Sequence, residues 1–492
     1  MNQYLYIILA YILVLLGFNI VRSIKVKKHE EFMVAGRSLS IHVVVFTLIC
    51  TWIGSGTFIA GAEYAYCAGF SSLWMPAGAW IGIICIYFLA GKVRTFGQYT
   101  IGDILEVRYG KFARLFGAVA LIIAFTTIVS YQFRAGGYIL NVVTDGQISV
   151  ALGQMLSAFF VISFTALAGM MAVAYTDLPN GIIILSACVL ATPFVVVAAG
   201  GVSQAAQVLP EGHFHLFSED FGAHPALKAG GYFLATMALL MGVQSMYQKF
   251  YSTKTPKDAK QAVALWTVGT VVVETVVVVI AVFAASKFWE QGKDPASMVL
   301  LAARYMVPAP IGILLLAAAC AVVISTGMNY LFSPSTNVIR DIYQRFIKSD
   351  AKDRQLVLFQ KIVIVFLGLC AFAMIFIPTV LNKPISVLRY SYFAYTMYGV
   401  AITPSLVAAL AWKRATKAGG LASILSGAFL AVVLELIVPL VWPQVLREGD
   451  PWGIPSIYPS LLVSIGTLVI VSLCTKPPEK EVLIKLFPEK QS

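Results

Sequence analysis

The chain has 492 residues, of which 59% are hydrophobic and only 12% are charged, and its mean hydropathy is +0.84. Soluble domains carry roughly a quarter charged residues, so this composition excludes a soluble enzyme and a nucleic-acid-binding module. The formal net charge is +12, but in a membrane protein the position of the basic residues relative to the spans matters more than their sum.

Apolar segments of about 20 residues recur along the whole chain, and each is long enough to cross a hydrocarbon core about 30 Å thick. We therefore predict an all-α integral membrane protein with about 13 transmembrane helices. The predicted spans are approximately 3–22, 41–66, 71–90, 112–142, 151–170, 178–200, 229–249, 262–286, 310–333, 356–378, 386–412, 417–442 and 456–475. The first has no basic segment before it and no cleavage site of small residues, so we interpret it as a retained span rather than a signal peptide.

The basic residues lie mainly on one side of the predicted spans. If the first connection is cytoplasmic, alternation places about 27 of the 35 lysines and arginines on the cytoplasmic side and about 6 on the other. Loops rich in basic residues stay in the cytoplasm. The distribution predicts an extracellular N-terminus and a cytoplasmic C-terminus in the cell membrane, with the bacterial inner membrane as the expected location.

Cysteine and histidine residues form no pattern typical of a catalytic or metal-binding site. The seven cysteines lie singly, nearly all in apolar segments, and we interpret them as small buried hydrophobic residues. The sequence contains no H-E-x-x-H motif and no G-x-x-x-x-G-K-[ST] phosphate loop. We therefore expect neither enzymatic activity nor ATP-driven transport by this chain alone.

Span 2 contains Gly54-Ser55-Gly56 near its middle. Glycine weakens a helix by about 1 kcal/mol and allows the backbone to leave helical geometry, which frees carbonyl oxygens to bind an ion. Irregular backbone at membrane depth is tolerated only where it lines a cavity or is buried in protein. The same pattern also fits a face of small residues used for close helix packing.

Span 9 contains Val322, Ser325 and Thr326. Their spacing of i, i+3 and i+4 places them on one face of a helix, where one carbonyl and two hydroxyls can point at the same place. Several neutral oxygens suit a hard monovalent cation. In the alternative interpretation, the two hydroxyls bond to carbonyls of the preceding turn.

With these motifs the chain resembles the sodium:solute symporter family over essentially its whole length. The motifs that carry the resemblance are Gly36-Arg37-Ser38-Leu39, Ile53-Gly54-Ser55-Gly56, Ala168-Gly169-Met170-Met171-Ala172-Val173 before Thr176-Asp177, Ser325-Thr326, and Asn337-Val338-Ile339-Arg340-Asp341-Ile342-Tyr343. The usual Gly-Gly pair of the family is here Ala168-Gly169.

The resemblance implies the leucine-transporter-type fold. Spans 2–6 and 7–11 are then two inverted five-helix repeats with broken first helices, and one N-terminal and two C-terminal helices are additional. Gly242 in span 7 is expected at the second break. The expected units are 1–37 (first span and cytoplasmic loop), 38–200 (first repeat), 201–412 (external loop and second repeat) and 413–492 (last two spans and tail).

The resemblance also implies a sodium (Na+) site. Its ligands are the carbonyl oxygens of Cys50, Ile53 and Val322 and the hydroxyls of Ser325 and Thr326.

Some family members bind a second sodium with an aspartate at the position of Asp177 and hydroxyls one turn beyond the serine pair. Here those two positions are Met328 and Asn329, so one hydroxyl ligand is lost and we expect one sodium per cycle. Asp177 is assigned to the exit path of the ion. It precedes Leu178-Pro179 and is equally well explained as a helix N-cap.

Arg134 lies within span 4, about two turns from the outer end. An arginine at this depth is costly if it faces lipid, so we expect it to face a cavity or a partner. A similar arginine binds the substrate carboxylate in sialic-acid-type members, which favours an amino acid or an organic acid as the solute. Pairing with Glu63 or Glu274, or snorkelling to the outer surface, are the alternatives.

The other candidates for solute binding are polar or aromatic side chains of spans 2, 4, 7 and 11. They are Thr57, Gln132, Gln244, Tyr247 and Tyr395. Tyr247, near Lys249, also fits an interfacial aromatic residue.

From these features we predict a sodium-coupled symporter that imports a small organic solute by alternating access. The expected partners are the solute and the lipid bilayer, without nucleic acid, and the expected functional unit is a monomer. A proton-coupled transporter on the same fold and a non-transporting membrane receptor are the alternative functions.

Overall fold

The computed structural model describes residues 3–23, 39–96, 100–167, 170–219, 222–348, 352–383 and 386–487. Two of the motifs above, Gly36-Arg37-Ser38 and Ala168-Gly169, lie outside the described residues, as does most of the loop in the first predicted unit. The described chain is almost entirely helical. Its one named sheet is a two-stranded antiparallel hairpin of β1 (Leu446–Arg447) and β2 (Asp450–Pro451).

The first half of the chain forms helices that match the first six predicted spans. They are α1 (Gln3–Ser23), α2 (Ile41–Trp52), the π-helical segment Gly56–Ala60 that continues into α3 (Gly61–Ala68), α4 (Trp74–Phe96), α5 (Ile101–Tyr109), α6 (Lys111–Val143), α7 (Val150–Leu167), α8 (Met170–Ala198) and α9 (Gly201–Val208). The short helix α5 lies between two spans and begins with a capping box formed by Thr100 and Asp103.

The second half follows the same plan. Its helices are α10 (Pro225–Gly242), α11 (Gln244–Ser252), α12 (Pro256–Phe288), α13 (Met298–Tyr305), α14 (Ala309–Asn337) with the π-helical extension Val338–Ile347, α15 (Asp353–Val380), α16 (Val387–Ala401), α17 (Thr403–Ala411), α18 (Lys417–Val432), the π-helical segment Val433–Ile437, α19 (Val438–Val441), α20 (Ile457–Cys474) and α21 (Lys480–Leu486). A capping box of Thr255 and Asp258, with Pro256 in the first turn, starts α12.

Within the described residues, eleven helices are long and apolar enough to cross a membrane, and two shorter apolar helices are Gln3–Leu15 and Ile41–Trp52. The predicted count of 13 spans is therefore not confirmed by length and composition. Span 2 explains part of the difference, because its first half, α2, has only 12 residues. Its second half runs into the next span as one helical stretch, Gly56–Phe96.

Both expected helix breaks are present. The backbone leaves helical geometry at Ile53, with ψ of 98°, and helix resumes at Gly56. In span 7 the break lies at Val243, with ψ of 116°, one residue after the expected Gly242. Spans 2 and 7 thus each consist of two half-helices, so backbone groups at two places inside the bundle have no partner in their own helix.

Loops that were predicted to share the basic side of the membrane do contact one another. Arg94 Nε donates to the carbonyl oxygen of Thr253 at 2.8 Å, and Arg108 Nη2 donates to that of Lys413 at 2.7 Å. At the opposite end, Arg304 and Asp145 form an ion pair at 3.0 Å. The helices therefore run between two distinct loop layers.

The helix α14 lies at the centre of the bundle. Every residue from Leu315 to Asn337 is buried, whereas the lipid-facing sides of α15 and α20 expose many large apolar side chains. The helix α14 packs against α6 and α8 and also contacts α2. A polar side chain on α14 is therefore shielded from lipid and can face only another helix or an internal cavity.

Candidate functional site

Two hydroxyls of α14 and two carbonyl groups at the break of span 2 meet inside the bundle. Thr326 Oγ1 lies 3.0 Å from the carbonyl oxygen of Cys50 and 3.1 Å from that of Ile53. Ser325 Oγ lies 3.2 Å from the same oxygen of Cys50. Val322 is one turn earlier on α14 and fully buried, and the carbonyl of a helical residue points along the helix toward the residue four positions later, here Thr326. These five residues are the sodium ligands predicted above, and we call them the sodium cage.

The break of span 2 brings the two chain segments this close because residue 54 is a glycine. A Cβ atom at Gly54 would lie 2.8 Å from Thr326 Cγ2 and 3.0 Å from Thr326 Oγ1. Any larger residue would push α14 away from the carbonyl oxygens. The small residues of span 2 therefore serve both interpretations given above, close helix packing and the release of backbone oxygens.

A buried polar cluster adjoins the sodium cage. The carboxylate oxygen Asp177 Oδ2 accepts hydrogen bonds from Thr47 Oγ1 and, at 3.2 Å, from Asn329 Nδ2. Asn329 Oδ1 in turn accepts a hydrogen bond from Lys249 Nζ. Asp177 lies inside α8 rather than at its start, so the N-cap interpretation is wrong. It lies next to the cage, and its role in the exit path stays a prediction.

On the other side of the break lies a narrow, partly open cavity of about 20 Å³, which has room for about one water molecule. Its lining includes Trp52, Gly56, Thr57, Glu274 and Tyr395. Ligand cavities in proteins measure about 300–1,000 Å³, so a small organic solute would enter here only after the lining residues move apart.

Glu274 is the charged group of the cavity lining. Its two carboxylate oxygens accept hydrogen bonds from the indole nitrogens of Trp52 and Trp80, each at 2.8 Å. In the part of the chain that the structure describes, no lysine or arginine forms an ion pair with Glu274. A buried carboxylate without a cation is costly, so this carboxylate is suited to a positively charged ligand.

Tyr395 reaches the same break from α16. A Cβ atom at Gly56 would lie 2.3 Å from Tyr395 Oη, so the phenol occupies the space that only glycine leaves open. The ring of Tyr395 also lies 6.0 Å from that of Trp52. Of the predicted solute-binding residues, Thr57 and Tyr395 line the cavity, and Gln132 accepts a hydrogen bond from the Ser55 amide at 3.2 Å.

Arg134 does not line this cavity. Its guanidinium donates to Tyr138 Oη at 3.0 and 3.2 Å and to Thr379 Oγ1 at 3.4 Å. Among its described contacts there is no ion pair with Glu63 or Glu274, and burial of the side chain, 8% exposed, excludes snorkelling. Tyr138 in turn donates to Asp294 at 2.9 Å, which places Arg134 toward the end of the bundle opposite the basic loops.

The two candidates of span 7 also lie elsewhere. Gln244 Nε2 donates to Ser333 Oγ at 3.1 Å and to Asn337 Oδ1, and its own Oε1 accepts from the Ile101 amide at 3.2 Å. These contacts place Gln244 toward the basic side of the bundle. Tyr247 is fully buried and its hydroxyl donates to the Met241 carbonyl at 2.9 Å, so it is not an interfacial residue.

Two residues of this region were missed in the sequence analysis as site residues, Glu274 and Lys249. A signal was available, since an ionisable residue inside an apolar span is a functional candidate by default. Their partners come from other helices, however, and the spacing of residues along α11 and α12 says nothing about them.

Comparison with known proteins decides the family. The model of the sodium:solute symporter family matches residues 32–427. This chain belongs to the sodium:solute symporter family. The symporter is therefore a membrane transporter rather than an enzyme, it couples solute transport to sodium, and the proton-coupled and receptor alternatives are not supported.

Relatives of this symporter in bacteria are proline transporters. It is 26% identical to the osmoregulated proline transporter OpuE of Bacillus subtilis, over 92% of this chain and 90% of the relative. It is 24% identical to the high-affinity proline transporter PutP of the same organism (92% and 94% coverage) and to sodium/proline symporter 2 of Staphylococcus saprophyticus (98% and 96%). A location in the cell membrane follows.

Solved structures confirm the fold of the symporter. A substrate-bound, outward-open Na+-coupled sialic acid symporter matches with a TM-score of 0.79 at 16% identity, over 97% of this chain and 98% of the other. The transporter MHP1 in a closed conformation matches with a TM-score of 0.59 at 12% identity, over 92% and 97%. The predicted leucine-transporter-type fold is thereby confirmed.

Proposed function

We propose that this symporter imports a small zwitterionic amino acid together with one sodium ion. The observation that carries the proposal is the position of Glu274, a buried carboxylate at the wall of a narrow cavity beside the break of span 2. Glu274 is held by two indole donors and has no described cationic partner. The amino group of the solute supplies the missing positive charge.

The carboxylate of the solute is assigned to the backbone where the second half of span 2 begins. The second half of span 2 begins at Gly56, and Gly56 and Thr57 both line the cavity. The start of a helix carries the positive end of the helix dipole, which favours an anionic group. The Thr57 and Phe58 amides here donate to the Gly54 carbonyl. A solute whose amine binds at Glu274 and whose carboxylate binds at Gly56 has the two charged groups of an α-amino acid. The named proline relatives support this class.

Sodium and solute would then bind on two sides of one backbone break. The Cys50 and Ile53 carbonyls face the sodium cage, and Gly56 faces the cavity three residues later. An ion at the cage holds α2 against α14 and orders the same backbone that forms the solute site. This shared segment gives a physical reason for coupling, because either ligand stabilises the geometry that the other requires.

One sodium is sufficient to drive uptake of a neutral zwitterion. Moving one positive charge inward across 100 mV supplies about 2.3 kcal/mol. A tenfold sodium gradient adds about 1.4 kcal/mol. Together these terms allow accumulation of several hundred-fold.

We further propose that the N-terminus is extracellular, that the C-terminus is cytoplasmic and that the monomer is the functional unit. The distribution of the basic loops supports the orientation. The cage and the cavity are each formed by residues of a single chain, which supports the monomer. Nucleic acid is not among the proposed partners.

The proposal is tested by ligand binding to the purified protein in sodium-containing buffer. We expect L-proline to raise the melting temperature, and its amine-free analogue cyclopentanecarboxylate to have no effect at the same concentration. Glu274→Gln should weaken L-proline binding by about 100-fold, since one partner of a buried charge pair is lost. The matched control is Glu435→Gln, a buried glutamate near Arg389 and away from the cavity.

Equal binding of the two ligands would exclude Glu274 as the amine site. So would an unchanged affinity of the Glu274→Gln protein for L-proline. If other amino acids bind but L-proline does not, the class stands and only the identity of the probe changes.

A further inference from the structure

Lys249 is a buried lysine beside the sodium cage. It lies on α11, the second half of the broken span 7, and its side chain is 1% exposed. A lysine buried at this depth is costly unless a polar or anionic group compensates its charge. Lys249 belongs to neither the solute site nor the sodium cage described above, so the presence of a buried lysine here needs another explanation.

The compensating groups form a chain that leads to Asp177. Lys249 Nζ donates to Asn329 Oδ1, and Asn329 Nδ2 donates to Asp177 Oδ2 at 3.2 Å. The amide of Asn329 is therefore oriented with its oxygen toward the cation and its nitrogen toward the anion. The same Asn329 Nδ2 lies 2.9 Å from the carbonyl oxygen of Ser325, which joins the chain to the sodium cage.

One carboxylate oxygen of Asp177 is available to a ligand beside the sodium cage. Its second oxygen, Oδ1, is buried and has no hydrogen-bond partner among the described residues. Its backbone carbonyl accepts a hydrogen bond from Cys50 Sγ at 3.2 Å, so the carboxylate lies next to the cage. The carboxylate, the Thr47 hydroxyl and the Asn329 amide oxygen are all oxygen donors of the kind that bind a hard cation.

We propose that the ammonium group of Lys249 is a tethered cation that compensates Asp177 through Asn329 and prevents a second sodium from binding beside the cage. The side chain of a fixed residue then supplies the charge that a mobile ion would otherwise bring. The charge of Lys249 thus acts together with the hydroxyl ligand lost at Met328 to limit transport to one sodium per cycle. The inference rests on the sodium cage of the proposed function, and the experiment below separates the two.

The test replaces Lys249 by Met, which keeps the length of the side chain and removes the charge. Binding of radioactive ²²Na+ to the purified protein is measured without solute, so that transport activity is not needed. We expect the unmodified protein to bind one sodium and Lys249→Met to bind two. We also expect half-saturation at about tenfold lower sodium concentration, because a nearby positive charge is lost.

Three further proteins complete the comparison. Lys249→Arg keeps the charge and should bind one sodium. Lys254→Met removes an exposed charge from the loop just beyond α11 and should behave as the unmodified protein. Lys249→Met with Asp177→Asn removes both charges and should again bind one sodium.

Two results would overturn the proposal. One is a Lys249→Met protein that binds a single sodium with unchanged affinity. The other is a Lys249→Met protein that is folded, by its melting temperature, but binds none, since Lys249 would then only support the cage. If Lys249→Met does not fold, the Asp177→Asn protein provides the test. Its ammonium group is uncompensated and should weaken sodium binding about tenfold. Unchanged sodium binding would contradict the proposal.

The sodium cage itself is checked in the same assay with Ser325→Ala/Thr326→Ala. If this double variant binds sodium normally, the cage assignment fails whatever Lys249 does. If it loses sodium binding while Lys249→Met changes nothing, the cage stands and only the role of Lys249 fails.

Discussion

At the scale of single residues, Thr326 joins the two chain segments that form the sodium cage. Its one hydroxyl lies within 3.1 Å of carbonyl oxygens of both Cys50 and Ile53. The two carbonyls are three residues apart and point to one place because the helix ends between them. In an intact helix both would be directed at amides four residues later. The contact therefore depends on the break and on the hydroxyl together.

Removal of the two cage hydroxyls should impair sodium binding specifically. For Ser325→Ala/Thr326→Ala we expect the sodium concentration for half-maximal uptake in proteoliposomes to rise at least about tenfold, because each lost oxygen contributed a charge-assisted contact. Thr326→Ser keeps the hydroxyl and should remain close to the unmodified protein.

The matched control is Ser335→Ala, a buried serine on the same helix whose hydroxyl bonds to the Phe332 carbonyl at 2.6 Å. Sodium dependence that is identical in the double variant and in this control would show that the oxygens bind no ion.

At the scale of helices, the break of span 7 is held by a residue from a different helix. Tyr398 on α16 donates its hydroxyl proton to the Gly242 carbonyl at 2.7 Å and accepts a hydrogen bond from the Gln244 amide at 3.0 Å. A single phenol thus satisfies one backbone group on each side of Val243. Without it, both groups would be buried and unpaired at membrane depth.

Tyr398→Phe should therefore destabilise the protein by about 1–3 kcal/mol, the cost of leaving buried polar groups unsatisfied. The expected result is a lower melting temperature in detergent and a lower transport rate. Tyr458→Phe is the control, because its hydroxyl makes one bond, to the Leu227 carbonyl at 2.9 Å, far from either break. Equal melting temperatures of the two variants would contradict the capping role.

At the scale of the whole molecule, one end of the bundle is closed by an ion-pair network. Arg114, at the start of α6, lies 2.8 Å from Asp103, 2.7 Å from Glu106 and 2.6 Å from Asp341. These partners belong to α5 and to the π-helical extension of α14, so three elements are joined at the side of the basic loops. Burial raises the pKa of Glu106, but the neighbouring Arg114 and Arg345 outweigh it and the net pKa is lowered.

Loss of the Arg114–Asp341 pair should shift the symporter toward an inward-open state. In a protein without native cysteines, a cysteine introduced at buried Ser245 reports access from that side. We expect Asp341→Asn to increase its labelling by a thiol reagent about tenfold, because breaking a buried ion pair removes several kcal/mol from the closed state.

The control is Lys417→Met, which removes an exposed, weak ion pair with Glu479 at 3.8 Å. Labelling that does not differ between Asp341→Asn and this control would mean that the network does not close the pathway.

Several local features were predictable from the sequence. The hydrophobic segments, the break at Gly54 and the common face of Ser325 and Thr326 depend on residues close in the chain. The fold class was confirmed by comparison. The count of 13 spans was not confirmed, because the half-helix α2 is only 12 residues long and hydropathy cannot distinguish a broken span from two adjacent ones.

The sequence by itself determined which segments are apolar enough to enter the membrane and that span 2 can break at its glycines, because transfer of side chains into lipid and glycine flexibility are local properties. The tertiary structure alone decided which buried charges meet. Glu274 accepts a hydrogen bond from Trp52, Lys249 is linked to Asp177 through Asn329, and Arg134 donates to Tyr138. These contacts join helices far apart in the chain, and their geometry follows from helix packing rather than from residue spacing.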